Sequence, residues 1–279
     1  MILIIILIIT IFLAIIFGLT IFKLKPLFRP FKLSSGLKPR DFGLPSEEIK
    51  ITGAGKTLIN GYLIESPNKN GKIIIFLHGW PTDSGDLLPL ASKFWPDFSL
   101  LMIDLRHFGQ SQGYMTTLGI KEKEDTKKIV DFLQKRNYSQ IGIFGFSLGG
   151  AIAILSAAQD ERLKVVATYG TFARLVDVAK IIYPPYKYYR IPSDILSLLF
   201  FGQRFSSIAP YKKISKINNP LLIAHSKRDN LVLFSQAEKL AKEIKNNKKA
   251  EKFFSNQGGH NIFPDEFPNK LKEFFHKNL

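Results

Sequence analysis

The chain has 279 residues, of which 46% are hydrophobic and 22% charged, which excludes an intrinsically disordered protein and allows one large domain or two small ones. The formal net charge of +16 is compatible with an anionic partner, such as a nucleic acid or a membrane surface. Since there is no cysteine, disulfides, thiol catalysis and cysteine-ligated metal sites are excluded.

The first 22 residues carry no charge and predict a membrane-spanning helix. At about 1.5 Å per residue they extend roughly 33 Å, enough to cross a hydrocarbon core of about 30 Å. A cleaved signal peptide is the alternative. It is disfavoured because no basic residue precedes the apolar run and no small-residue cleavage site follows it. Residues 1–22 are therefore expected to be a retained single-pass anchor.

Residues 23–45 are rich in Pro, Lys and Gly and predict a basic linker. The positive-inside rule favours a cytoplasmic position for the domain that follows the linker, with an outward-facing domain as the alternative. The same cations suit anionic headgroups, with a solvated linker as the alternative. Because these charges explain much of the net charge, and no signature of base recognition occurs, no nucleic acid partner is predicted. The cations are Lys23, Lys25, Arg29, Lys32, Lys38 and Arg40.

From residue 46 onwards, strand and helix patterns alternate. Residues 48–52 and 58–65 predict an antiparallel pair of strands. Helical spacing occurs at 118–135, 151–158 and 234–244. The alternation predicts an α/β domain over residues 46–279, with a mostly parallel central sheet flanked by helices. Short apolar runs typical of buried parallel strands cover 72–77, 100–105, 141–146, 164–169 and 220–225, and a last short strand opens at 252–254.

Residues 171–210 interrupt this alternation with several prolines and many aromatic and apolar residues. We expect a small cap inserted between the last two of the five apolar strands, with a decorated crossover as the alternative. The aromatic segments suit an acyl or aryl pocket, and equally ordinary core or a membrane-facing surface.

Residues 145–149 read Gly-Phe-Ser-Leu-Gly and match the G-x-S-x-G pattern. The pattern lies between a predicted strand and a predicted helix of small residues, where the chain must reverse within a couple of residues. Such a turn strains the serine backbone, exposes the hydroxyl and leaves space only for glycine on either side. Ser147 is therefore the predicted nucleophile.

A serine hydroxyl needs a base that takes up its proton, and a carboxylate that orients the base. His260 is favoured among the five histidines because it follows the last predicted strand and two glycines, so that its loop can reach the C-terminal edge of the sheet. Asp229, which follows the 220–225 strand, is the predicted orienting carboxylate, with Asp177 and Asp194 of the cap as rivals. The other histidines are His78, His107, His225 and His276.

The tetrahedral intermediate of acyl transfer needs backbone N–H donors for its oxyanion. One donor is expected from Leu148, directly after the nucleophile. The other is expected from Trp80, in the His-Gly-Trp-Pro loop after the first long apolar strand.

With these motifs in the order Ser, Asp, His, the chain resembles the α/β-hydrolase-fold serine hydrolases, and most of all the membrane-anchored, serine-aminopeptidase-like bacterial hydrolases. The resemblance covers roughly residues 47–279 and implies an esterase or lipase-like enzyme without a cofactor. The matching segments are IIIFLHGW, DLRHFGQSQG, TTLGIKEKEDTKKIVDFL, IGIFGFSLGG, HSKRDNLV and the late GGH.

His-Gly-Trp-Pro is also typical of epoxide hydrolases and haloalkane dehalogenases, which carry an aspartate at the nucleophile position. Here that position is Ser147, so the covalent intermediate should be an acyl-serine ester. The likeness to that group implies a cis peptide bond between Trp80 and Pro81.

The favoured hypothesis is a membrane-anchored serine hydrolase that cleaves a small-molecule carboxylic ester. A peptidase of the same fold is disfavoured because no distinct acidic pair for a peptide amine stands out, while an acyltransferase needs only an acceptor that outcompetes water. A non-catalytic, membrane-tethered binding module is a further alternative. No metal is predicted, because the histidines lack the paired spacing with carboxylates of zinc hydrolases. Neither the substrate nor the oligomeric state follows from these patterns.

Overall fold

An eight-stranded sheet forms the centre of the domain in the computed structural model, which describes residues 1–244 and 246–279. Its spatial order is β1-β2-β4-β3-β5-β6-β7-β8, and only the pairs β1–β2 and β2–β4 are antiparallel. The predicted, mostly parallel sheet is thus confirmed. The strands are β1 (Glu47–Thr52), β2 (Leu58–Ile64), β3 (Lys72–Leu77), β4 (Ser99–Ile103), β5 (Gln140–Phe146), β6 (Leu163–Tyr169), β7 (Leu221–Ser226) and β8 (Ala250–Ser255).

The central strands are continuous apolar runs because both faces of the sheet are covered. In β3, Ile73, Ile75 and Leu77 pack into the core on one face, whereas Ile74 and Phe76 pack into the core on the other. Side chains of a strand alternate between the two faces, so a strand covered on both sides needs an apolar residue at every position.

Helices cover both faces of the sheet, as expected for an α/β domain. The predicted helix 118–135 begins four residues late, because the Glu122 carboxylate accepts hydrogen bonds from the backbone N–H of Thr117 and Gly119 and holds that segment as a turn. The helices are α1 (Ile2–Phe28), α2 (Leu88–Ala91), α3 (Glu122–Lys135), α4 (Leu148–Ala157), α5 (Leu175–Ile182), α6 (Tyr186–Phe201), α7 (Phe234–Glu243) and α8 (Phe267–Asn278).

Helix α1 is long and apolar enough to cross a membrane, with a mean hydropathy of 3.4 over an 18-residue stretch. It continues to Phe28, six residues past the end of the uncharged run 1–22. The last turns stay helical because Leu24, Leu27 and Phe28 are buried against the domain, and the Phe28 ring stacks on Phe205 with the centroids 4.2 Å apart.

The rest of the predicted linker lies against the domain. The backbone N–H of Leu33 donates to the carbonyl oxygen of Pro81 at 3.2 Å. The hydroxyls of Ser34 and Ser35 donate to the Asp83 carboxylate, at 2.5 and 2.8 Å. These bonds hold the segment beside the loop that follows β3.

The segment 171–210 lies between β6 and β7, where the cap was expected. It folds into α5 and α6, followed by short 3₁₀ turns at Phe205–Ser207 and Pro210–Lys212. Helix α6 packs against α1, so the cap and the N-terminal helix are neighbours.

Candidate active site

The turn between β5 and α4 holds Ser147 in a strained backbone conformation. Its φ of 51° and ψ of −112° lie in a region of backbone conformation that residues other than glycine rarely adopt. The flanking glycines provide the clearance that this turn needs: a Cβ atom at Gly145 would overlap the carbonyl of Gly149, and one at Gly149 would overlap the carbonyl of Leu77. The sharp turn predicted for residues 145–149 is therefore present.

The structure brings the three predicted residues Ser147, His260 and Asp229 together at the C-terminal edge of the sheet. The Ser147 Oγ lies 3.0 Å from His260 Nε2, and His260 Nδ1 lies 2.7 Å from Asp229 Oδ2. Asp229 is only 3% exposed, whereas Ser147 and His260 keep 8% and 7%. This arrangement lets a hydroxyl pass its proton to an imidazole whose other nitrogen is held by a carboxylate.

Asp229 is held by its own loop. Its Oδ1 accepts hydrogen bonds from the backbone N–H groups of Leu231 and Val232, at 2.9 and 2.8 Å. Because one oxygen is fixed in this way, the other is directed at the His260 ring.

The loop that carries His260 is fixed by Tyr169, at the end of β6. The Tyr169 hydroxyl donates to the carbonyl oxygens of Gly259 and Ile262, at 3.0 and 3.3 Å. Burial raises the pKa of the phenol, so it remains a hydrogen-bond donor at neutral pH. The Phe146 ring packs against the imidazole with the centroids 5.1 Å apart. Tyr169 is not among the residues predicted from the sequence. The one signal available is its position at the end of a buried strand, which places it at the C-terminal edge of the sheet.

Of the predicted oxyanion donors, Leu148 directly follows the serine in the chain, and Trp80 belongs to a loop that passes beside it. Leu148 is the first residue of α4. The neighbour of Trp80, Gly79, is so close that a Cβ atom there would lie 3.4 Å from the Ser147 Cβ. The peptide bond between Trp80 and Pro81 is cis, which confirms the expectation from the His-Gly-Trp-Pro loop.

The rival histidines have other partners. His78 Nε2 accepts from the backbone N–H of Leu105 at 2.9 Å. His107 Nε2 is 3.3 Å from the carbonyl oxygen of Pro30, and His276 Nε2 is 3.2 Å from the Asp97 carboxylate.

The rival carboxylates lie in the cap and contact neighbouring cap residues. Asp194 accepts from the backbone N–H of Ser206 at 2.8 Å, and Asp177 is 4.0 Å from the Arg174 guanidinium. His260 and Asp229 are therefore joined to Ser147 by hydrogen bonds, whereas the rival residues contact other groups.

The sequence offers His225 only as a rival base, but the structure places it behind Asp229. Its Nε2 donates to the carbonyl oxygen of Val232 at 2.8 Å and lies 3.4 Å from Asp229 Oδ2. The ring is fully buried, and within residues 1–244 and 246–279 its Nδ1 has no hydrogen-bond partner. His225 thus supports the loop that positions the carboxylate.

Two buried imidazoles, those of His78 and His225, should make the stability of the protein depend on pH. Burial lowers the pKa of both below the ordinary value of 6.5, so the folded protein binds fewer protons at these rings than the unfolded chain does. Their contribution is fully present well above pH 6.5 and is lost as the pH falls below it, at a rate of at most about 1.4 kcal/mol per pH unit for each histidine.

Replacing His225 by glutamine isolates one of the two contributions. Between about pH 6.5 and pH 5.5, the variant should lose less of its free energy of unfolding than the wild type does, by at most about 1 kcal/mol. Urea unfolding of the full-length protein in detergent measures both values. An equal pH dependence in the two proteins would contradict the prediction.

A cavity of about 340 Å³ is lined by Phe146 and Asn261, the chain neighbours of Ser147 and His260. The rest of its wall comes from the linker, the loop after β3 and the cap. The wall is partly apolar and partly polar, as suits a small organic molecule. Lining residues include Leu33, Trp80, Asp86, Phe146, Ile182 and Asn261.

Comparisons with known proteins agree with this architecture. A model of the prolyl oligopeptidase family matches residues 109–273. Protein bem46 of Schizosaccharomyces pombe is 26% identical over 203 residues, which cover 70% of this chain and 64% of bem46, just under two thirds of that relative.

Two solved structures superpose on most of the chain. The Pyrococcus furiosus esterase Pf2001 does so with a TM-score of 0.72 at 22% identity, covering 89% of this chain and 98% of the esterase. A puromycin-hydrolyzing peptidase of Mycobacterium tuberculosis has a TM-score of 0.69 at 16% identity, covering 88% of this chain and 41% of the peptidase. The predicted α/β-hydrolase fold is confirmed.

Proposed function

The chain belongs to the prolyl oligopeptidase family, and we propose that it is a membrane-anchored serine hydrolase that cleaves carboxylic esters through an acyl-serine intermediate. The observation that carries the proposal is the hydrogen-bonded chain from Ser147 through His260 to Asp229. A buried hydroxyl, imidazole and carboxylate in this order are the parts that activate a serine for acyl transfer.

In the proposed reaction, Ser147 Oγ attacks the carbonyl carbon of the ester while its proton moves to His260 Nε2. The backbone N–H groups of Trp80 and Leu148 donate to the oxyanion that forms. When the tetrahedral intermediate collapses, the alcohol leaves with the proton from His260, and the acyl group stays on Ser147. Asp229 remains ionised throughout, and holds the imidazole in the required tautomer.

A water molecule completes the cycle. His260 Nε2 takes a proton from it as the water oxygen attacks the acyl-serine carbonyl, and the carboxylic acid leaves as His260 returns the proton to Ser147. If an alcohol or amine takes the place of this water, the same site acts as an acyltransferase. The presence of all three side chains, in hydrogen-bond contact, disfavours a non-catalytic binding module.

A peptidase activity at the same serine is the second candidate. Asp86 lines the cavity beside the site, and its carboxylate offers one anionic group for a substrate amine. Family membership and the fold shared with a puromycin-hydrolyzing peptidase point the same way.

The membrane anchor in this proposal is α1. Its length and hydropathy support a membrane span, and the cations that follow it favour a cytoplasmic domain by the positive-inside rule. Protease protection of the full-length protein in sealed membrane vesicles tests this orientation.

Esters and amides of one series test the proposed reaction. The full-length protein in detergent is assayed with p-nitrophenyl esters of increasing acyl length and with the corresponding p-nitroanilides, and Ser147→Ala serves as the control. We expect ester hydrolysis to exceed amide hydrolysis and to disappear in the control. Faster amide hydrolysis would support the peptidase, and failure to cleave either series would contradict the proposal.

A further inference from the structure

The cap helix α6 has an apolar face that no other part of residues 1–244 and 246–279 covers. Four residues spaced by three or four positions, and therefore on one side of the helix, are large, hydrophobic and strongly exposed. A helix on a water-facing surface usually carries polar residues there. The four are Tyr188, Ile191, Ile195 and Leu199, with exposed fractions of 74%, 65%, 43% and 74%.

Helix α6 is fixed to the end of α1. Thr20 and Leu24 of α1 are buried, with exposed fractions of 1% and 2%, and both line a cavity that α6 closes. The hydroxyl of Tyr183, between the two cap helices, donates to the carbonyl oxygen of Lys23. The position of α1 in a membrane would therefore also set the position of the cap.

The charges of α1 indicate where the hydrocarbon core would end. Residues 1–22 are uncharged, Ile21 and Phe22 are 59% and 69% exposed, and the first cation is Lys23. The boundary between acyl chains and headgroups therefore falls near Phe22. Ile21 lines the same cavity as Phe200 of α6, which is itself 73% exposed. The C-terminal end of α6 thus lies close to the level of this boundary.

The cavity between α1 and α6 has the chemistry of a phospholipid site. It measures about 510 Å³, and apolar side chains of both helices, such as Leu24, Leu196 and Phe200, form much of its wall. Two cations, Lys25 and Arg29, also line it. An acyl chain matches the apolar wall, and a lipid phosphate matches the cations.

We propose that the exposed face of α6 lies in the interfacial region of the bilayer that α1 spans, in contact with phospholipid. Its partner is the membrane surface itself, and the enzyme then rests on the membrane by its cap. The inference rests on the membrane anchor of the proposed function. Interfacial helices place an apolar face at the boundary between headgroups and acyl chains, and aromatic residues such as Tyr188 are favoured at that depth.

Single-cysteine labelling tests the inference, because the chain has no cysteine of its own. Leu199→Cys reports on the cap and Ile9→Cys on the anchor. Glu273→Cys, on α8, serves as the matched exposed control. Each full-length variant carries an environment-sensitive fluorophore and is reconstituted into nanodiscs of phosphatidylcholine and phosphatidylglycerol. Nitroxides attached at shallow or deep positions of the lipid chains quench the fluorophore. Ester hydrolysis by each variant confirms that it is folded.

We expect the Leu199 label to show blue-shifted emission and to lose fluorescence mainly to the shallow nitroxide. The Ile9 label should be quenched by the deep nitroxide, and the Glu273 label should keep the emission of an aqueous probe. A Leu199 label that behaves like the Glu273 label, while the Ile9 label is quenched, would overturn the inference and leave the anchor intact. An unquenched Ile9 label would overturn the anchor of the proposed function and the inference with it.

Discussion

Replacing Ser147 by alanine should lower kcat for ester hydrolysis on the order of 10⁶-fold and abolish labelling by a fluorophosphonate probe. The variant loses the only atom that forms the acyl bond in the proposed reaction, while His260 and Asp229 stay in place. The residual rate should stem from binding and from the oxyanion donors alone. The measurement compares initial rates on a saturating p-nitrophenyl ester for the full-length proteins in detergent.

An exposed serine provides the matched control for this loss. Ser139 lies just before β5, and Ser139→Ala should keep the rate and the probe labelling of the wild type. The catalytic role of Ser147 would be refuted by labelling that persists in Ser147→Ala. If Ser139→Ala lost activity to a similar degree, the loss could not be assigned to the nucleophile.

Much of the sheet could be predicted from the sequence because buried parallel strands need an apolar residue at nearly every position. The run 72–77 coincides with β3, and 141–146 differs from β5 by one residue. The sharp turn at Ser147 was predictable for a related reason, because its glycines are imposed by local backbone contacts within residues 145–150 and with the neighbouring strand.

Features that depend on distant contacts were not predictable in this way. Helix α1 continues to Phe28 because its last turns pack on the cap, which lies more than 140 residues later in the chain. Leu33 reaches the cavity beside the site because the chain near it is bonded to Pro81 and Asp83. His225 supports Asp229 through a loop that doubles back on β7. In each case the deciding partner is remote in sequence or fixed by the path of a loop.

Replacing Asp229 by asparagine should lower kcat about 10⁴-fold with little change in structure. The asparagine oxygen can still accept from the N–H groups of Leu231 and Val232, so the amide group would face His260 Nδ1 in place of the carboxylate oxygen. An amide donor there stabilises the tautomer that carries its proton on Nε2. That nitrogen can then no longer take up the proton of Ser147.

The rival carboxylate Asp177 gives the matched comparison for this variant. It lies in α5, 4.0 Å from the Arg174 guanidinium, so Asp177→Asn should keep kcat near the wild-type value. Circular dichroism separates a folded, slow enzyme from an unfolded one. Because the tautomer argument concerns the base and not binding, KM should change far less than kcat in Asp229→Asn. A kcat within tenfold of the wild type in this variant would mean that His260 is oriented without the carboxylate.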